Sequence, residues 1–369
     1  MKLLFIDDQP DSIAPAVRAL AARGEECQIS SFGNTENNIN QFRPDIVVLD
    51  VLEGPPAEQR ATGLEDYDVV WNERFCPVVV YSAQPELATE RHPPHPFVKS
   101  AQKGRDISQL TGAIDELRPN VESLRDAEQH VQKQFATALR DVAPYAFEAF
   151  ETFEDKIRAI TRSARRRLAA LMDAEFAPGE KLAPWEHYLH PPIGNDVQLG
   201  DILMKADGDK NEPTDFRIVL SPSCDLVASG GRTPKVSRIL IARCCTMLAG
   251  LKLINLQPSK TSIGKRFPEP VLTQGYLEAL LPMPSLPGRL PCMAANLRDL
   301  ELLGFDRLGN AANQFRRVAS MDSPFRELVS WSYLQVAGRP GLPDRDVEKW
   351  HEEIVAACVK QEAKNNAAV

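Results

Sequence analysis

Five short apolar runs are separated by stretches of helical spacing over residues 1–118, and this alternation constrains the fold more than any other feature. The runs are KLLFI (2–6), CQISSF (27–32), DIVVLDV (45–51), PVVVYSA (77–83) and PFVKS (96–100). The intervening helical patterns cover 12–24, 35–42 and 64–75, and a closing one covers 106–118. Strands apolar along their whole length, joined by helices, predict a parallel sheet covered on both faces. In such sheets ligands bind outside the carboxyl ends of the strands.

The residues at those ends are chemically pointed. The first run ends in Asp7 and Asp8, the third in Asp50, the fourth in Ser82 and the fifth in Lys99. Two adjacent carboxylates at the end of a buried strand cost repulsion and desolvation unless something neutralises them. Mg²⁺ takes hard oxygen ligands, so Asp7, Asp8 and Asp50 form a candidate metal site. Asp50 is also a candidate aspartyl nucleophile, with Lys99 placed to neutralise phosphate oxygens and the Ser82 hydroxyl to donate a hydrogen bond to them. The bland alternative is a turn in which Asp8 caps the next helix; the other three residues disfavour it.

FIDDQ, DIVVLDV, VVVYSA and FVKS, in this order, resemble the receiver domain of two-component response regulators. The resemblance covers about residues 1–118 and implies a five-stranded flavodoxin-like fold. It implies Asp50 as phosphoacceptor and Asp7 and Asp8 as the metal pair. It further implies the Leu52 carbonyl as a metal ligand, Ser82 as switch hydroxyl and Lys99 as the phosphate-contacting lysine. Such a protein takes its phosphoryl group from a histidine kinase or phosphotransfer protein, with Mg²⁺ as cofactor. Departures from the family pattern are visible. Ser100 follows Lys99 where proline is usual, and Pro96 stands three before it where an aromatic switch residue is common, leaving Phe97 as the candidate. The stretch between the fourth and fifth runs is short and Pro-rich, which predicts a reduced fourth helix, and the loop after Asp50 is long. Divergent receivers of this kind are similar to those of bacterial stress and phage-defence signalling. The alternatives are a phosphate sink and a pseudo-receiver adaptor that takes no phosphate.

Residues 119–175 read as a helical linker. Val121, Leu124, Val131, Phe135, Ala138 and Val142 follow heptad spacing, with Glu128 as a polar interruption. Pro119 is expected to separate this helix from the preceding one, and Pro144 to end or kink it. The stripe over 120–143 is either a homodimer seam or one face of a bundle within the chain. Arg158, Arg162, Arg165, Arg166 and Arg167 read as a solvated helix face rather than a nucleic-acid contact.

Residues 176–369 read as a mixed α+β output domain. GDILMKA, FRIVLSPS and RILIARCC are strand-like, and helices are expected over 325–338 and 344–364. The order faintly resembles small SH3-like barrels of the MazF toxin type. Ser223, Cys224 and Asp225 form a candidate output site, which leaves an effector enzyme or nucleic-acid-acting barrel as a further alternative. A buried structural cysteine at Cys224 is the commoner reading. Beyond receiver phosphoryl transfer and autodephosphorylation, no enzyme motif stands out.

Charge and cysteine usage narrow the classes. Residues 1–118 hold eleven Lys/Arg against nineteen Asp/Glu, so this stretch alone accounts for the net −8. An acidic first domain with a neutral remainder argues against general nucleic-acid binding. The seven cysteines form no CxxC pair, which suggests a reduced, cytoplasmic protein and no zinc site. No apolar run approaches the 18 residues of a membrane span, and no secretory leader is expected.

Overall fold

The computed structural model describes residues 1–54, 60–91, 95–104, 106–174, 181–255, 278–312, 314–338 and 346–367. The chain divides into two compact units, Met1–Pro178 and Gly179–Val369.

The first unit alternates β1 (Lys2–Ile6), α1 (Pro10–Ala22), β2 (Glu26–Ser30), α2 (Thr35–Phe42), β3 (Ile46–Leu49), α3 (Gly63–Glu73), β4 (Val78–Ser82), α4 (Glu86–Arg91) and β5 (Val98–Gln102). The strands lie in the order β2-β1-β3-β4-β5, and every pairing is parallel. This is the flavodoxin-like order of a receiver fold, with its crevice at the carboxyl ends of β1 and β3. Successive side chains alternate between faces. Leu3, Phe5, Val48, Val79 and Tyr81 pack on Ile13 and Leu20 of α1 and on Leu110 and Ile114. Leu4, Ile6, Val47, Leu49 and Val80 pack on Ile39 of α2 and on Tyr67 and Val70 of α3.

Two elements differ from expectation. Strand β5 lies two residues further along than PFVKS suggests. His95 accepts from the Val98 amide at 3.0 Å, so 95–98 form a turn, and ladder pairing starts at Val98 opposite Val78. The other difference is α5, a single helix from Ser108 to Ala149 that contains both Pro119 and Pro144. Each proline forfeits one backbone hydrogen bond. Packing on both sides of Pro119 carries the helix through it, because Leu110, Ala113, Ile114 and Leu117 before it and Val121 after it all bury in the same core. Helix α6 (Phe153–Ala174) then folds back along α5, burying Ala138 and Ala146 on one helix and Ala159 and Ala164 on the other. Small residues let the two backbones approach, and Arg167 pairs with Asp141 at 3.1 Å across them. Helix α4 is only six residues long, in keeping with its Pro-rich surroundings.

The second unit is built on a seven-stranded antiparallel sheet. Its strands are β6 (Tyr188–Leu189), β7 (Asp201–Lys205), β8 (Phe216–Val219), β9 (Arg238–Thr246), β10 (Leu280–Met283), β11 (Met293–Gly304) and β12 (Phe315–Met321). They lie in the order β10-β11-β9-β8-β7-β12-β6. The sheet curls until its edges approach: the Tyr188 hydroxyl on β6 donates to the Pro284 carbonyl just beyond β10 at 2.7 Å. The concave face encloses Phe216, Ile218, Met283, Met293 and Met321, and the helix Phe325–Ala337 contributes Val329 to this core. No ladder joins β6 to β10 among the described residues, so the sheet is barrel-like without strand closure. A buried pair, Arg317 with Asp201 at 2.8 Å, sits between β12 and β7.

Candidate functional site

Strands β1 and β3 end side by side, and their ends bring Asp7, Asp8 and Asp50 together. One ligand oxygen from each lies within 4.8 Å of the others. Asp7 is 3% exposed and Asp50 6%, so two carboxylates are nearly out of solvent. Their oxygens are individually occupied. Asp7 accepts from the Gln9 amide at 2.9 Å, and Asp50 accepts from the Leu52 amide at 3.0 Å. Asp8 accepts from the Gly54 amide at 2.7 Å through Oδ2, while its Oδ1 is buried with no hydrogen-bond partner among the described residues. Burial pushes the Asp7 carboxyl above the usual range, despite the bonds it accepts from Lys103 and Gln9.

Lys103 is the cation at this site. It lies just past the carboxyl end of β5, and its Nζ stands 2.5 Å from both Asp7 Oδ2 and Asp50 Oδ2. Its amide donates to the Ser82 carbonyl at 2.8 Å, which fixes the turn that aims the side chain. Burial acts to lower its affinity for a proton, but the hydrogen bonds and charges of Asp50 and Asp7 outweigh that and hold its pKa above the ordinary lysine value. Lys99 does not reach the carboxylates. It sits inside β5, pairs with Val79, and forms an ion pair with Glu116 of α5 at 2.7 Å. The two-residue displacement of β5 accounts for the correction. A strand-to-turn junction at Gln102–Lys103–Gly104, rather than the end of the apolar run, would have pointed to the right lysine.

Ser82 is fully buried at the end of β4 and accepts weakly from the Gln84 amide, at 3.4 Å. Phe97 is not beside the carboxylates. It precedes β5 and so lies at the amino edge of the sheet, with its ring 5.2 Å from Phe75 and 5.6 Å from His95. The position three before Lys103 is Ser100, which carries no ring. Gly63, the first residue of α3, is pressed against the Asp50 backbone: a Cβ there would lie 2.1 Å from the Asp50 carbonyl oxygen. Only glycine permits that approach, and sequence reasoning missed it.

In the second unit, Ser223 accepts from the Leu199 amide at 3.0 Å, and Cys224 is exposed with its sulfur 3.6 Å from an Asp225 oxygen. Asp225 in turn lies 3.4 Å from Lys235. Cys224 is therefore not the buried core cysteine expected of a strand end. It stands on the short helix Ser223–Leu226 that follows β8.

The donors at the carboxyl edge are hard oxygens, and Asp8 Oδ1 is a buried acceptor lacking a donor. A divalent cation of the Mg²⁺ class fits both observations.

No family model matches the chain, and no curated protein matches it. Solved structures do resemble it. The response regulator TrrA of Thermotoga maritima, in complex with Mg²⁺–BeF, is 20% identical with a TM-score of 0.24, over 31% of this chain and 97% of that one. The N-terminal domain of a response regulator receiver protein from Methanoculleus marisnigri is 24% identical with a TM-score of 0.24, over 31% and 94%. The response regulator PhyR of Brucella abortus is 18% identical with a TM-score of 0.29, over 35% and 52%. The chain thus spans about half the length of the PhyR proteins it matches, 51% for that of Bartonella quintana.

Proposed function

We propose that the protein is a response regulator whose Asp50 accepts a phosphoryl group from a histidine kinase or phosphotransfer protein. The observation that carries this reading is the convergence of Asp7, Asp8, Asp50 and Lys103 at one strand edge, with Asp8 Oδ1 left open. Asp7, Asp8, Asp50 and the Leu52 carbonyl would hold Mg²⁺, which would supply charge neutralisation for the phosphoryl oxygens. An Asp50 carboxylate oxygen attacks phosphorus, and the donor imidazole leaves with the bonding electron pair, giving an acyl phosphate. Lys103 exchanges its bond to Asp50 for one to a phosphoryl oxygen, and the Ser82 hydroxyl donates to another. Hydrolysis by water returns Asp50 and inorganic phosphate. The chain would work in the cytoplasm, in a signalling system of the stress or phage-defence kind, with the second unit as its output.

One observation favours a second reading. Lys103 already bridges Asp7 and Asp50, so the pair is partly neutralised without metal, as a pseudo-receiver adaptor or a phosphate sink that competes for the kinase would allow. The exposed Cys224 beside Asp225 keeps an effector enzyme, or a barrel acting on nucleic acid, as the rival for the output unit.

Intact mass decides between phosphoacceptor and adaptor. With Mg²⁺ and a small phosphodonor such as acetyl phosphate, the protein should gain one phosphoryl group, and Asp50→Asn should gain none. No gain in the wild type, or an equal gain in the variant, removes Asp50 as acceptor.

A further inference from the structure

The far end of the first unit holds a second charged cluster, at the edge of the sheet opposite Asp50. Glu128 of α5 takes both guanidinium nitrogens of Arg74, at 3.1 and 2.7 Å, and one of Arg43 at 3.1 Å. One turn earlier, Arg125 pairs with Asp45 at 2.6 Å. Arg43 and Arg74 are the C-terminal cap residues of α2 and α3, where the carbonyl ends of two helices favour a cation. Glu128, the polar interruption in the apolar stripe, is thus what fastens the α5 extension to the base of the sheet. Its carboxylate is 38% exposed and the Arg74 side chain 24%, so the pairing is half-wet and weak. A latch of that strength is reversible.

Helix α3 connects the latch to Asp50. Its first residue, Gly63, abuts the Asp50 backbone with no room for a methyl group, so displacement of that backbone is handed to the helix. Its cap, Arg74, holds Glu128. Between them an aromatic file stiffens the outer side. Tyr67 stacks on Trp71 at 5.4 Å, Trp71 meets Phe75 at 5.4 Å, and Phe75 lines the cleft with Val121, Leu124 and Glu128. Helix α4, by contrast, has only six residues.

We infer that α3 is a strut linking Asp50 to the Glu128 latch, such that a phosphoryl group on Asp50 and a closed latch oppose each other. The inference rests on Asp50 being the phosphoacceptor. Coupling between two sites is reciprocal: if phosphorylation opens the latch, opening the latch must tighten binding of a phosphoryl mimic by the same factor. The coupling is carried by one rigid element with a contact at each end, and the two arrangements it selects are the α5 extension fastened and released.

The test uses the full chain with Mg²⁺ and beryllofluoride, titrated calorimetrically. Glu128→Gln and Arg74→Gln should each bind the mimic at least about fivefold more tightly than wild type, the lower end of ordinary allosteric coupling. The double variant should gain no more than Glu128→Gln alone, because loss of the Glu128 charge already breaks its pairs with both Arg74 and Arg43. Arg125→Gln, which removes only the neighbouring pair, should shift affinity in the same direction. Arg158→Gln, on the exposed face of α6, should change nothing. Amide exchange over residues 121–135 should quicken on beryllofluoride binding in the wild type and be fast already in Glu128→Gln. Equal affinities across the latch variants, or weaker binding by them, overturn the strut while leaving Asp50 as acceptor. Failure of the wild type to bind the mimic at all brings down both.

Discussion

Removing the ammonium of Lys103 would leave Asp7 and Asp50 facing each other in a nearly dry site. Breaking a buried pair from one side costs about 3 kcal/mol or more, so Lys103→Met should melt several degrees below wild type in the absence of metal. Millimolar Mg²⁺ should recover more of that loss than it adds to the wild type, because binding to the folded state stabilises by mass action. Lys99→Met loses only a surface pair with Glu116 and should melt like the wild type. Thermal scans of the two variants with and without Mg²⁺ check the assignment, and equal behaviour would refute it. The carboxylates of this site were legible in the sequence, since each stands where an apolar run stops. The lysine was not. The step from Val98 to Lys99 reads as the end of an apolar run, yet pairing with β4 runs on to Gln102, and its start is set by a turn at His95 and by Pro96.

Elements were legible where their period was long and unbroken, and hidden where a tertiary contact overrode a local rule. Proline at 119 reads as a boundary, yet α5 crosses it because the same core holds both sides. The heptad stripe reads as a single seam, yet it is divided among three environments. Val121 packs on the sheet, Ala138 packs within the hairpin on α6, and Val131 and Phe135 stay 41% and 44% exposed. Of the two expectations for 120–143, the bundle within the chain takes up Ala138, and a homodimer would have only the exposed part of the stripe to use, together with Phe153 and Ile157 of α6, which are also exposed. Two helices alone seldom bury enough to be stable, and a second hairpin would complete a four-helix bundle. Phe135→Glu should therefore halve the solution mass of a wild-type dimer while each unit stays folded. A wild type that is monomeric at every concentration, with or without a phosphoryl mimic, excludes the pairing.

Over the whole molecule the first unit was legible strand by strand, and the second only as a mixed α+β domain with barrel-like strands; its strand order was hidden because a curled antiparallel sheet is specified by distant edges such as Tyr188 and Pro284, ninety-six residues apart. The first unit also ties its own beginning to its middle. Glu25 accepts from the terminal amine at 2.6 Å and from Arg118 at 2.7 Å. Burial acts to raise its pKa, but those two cations outweigh it and hold the carboxyl below the ordinary value of 4.5. The depressed folded value means the stabilisation is complete above about pH 4.5 and is lost as pH falls through the folded pKa. Glu25→Gln should therefore melt several degrees lower than wild type at pH 7, with the gap closing below pH 4.5. A gap that persists unchanged into acid would show that charge is not its source. The unbroken α5 has a mechanical consequence at this scale. From Val121 to Ala149 it extends roughly 43 Å at 1.5 Å per residue, so a tilt of 10° about Val121 would sweep its tip by about 7 Å. Helix α6 then carries the chain back roughly 33 Å toward the fulcrum, where the same tilt produces only a small displacement. The hairpin is a lever with its long arm at Phe147, Phe150 and Phe153 and its short arm where α6 ends, so a reader of the tip receives the motion magnified and a reader of the exit receives it damped.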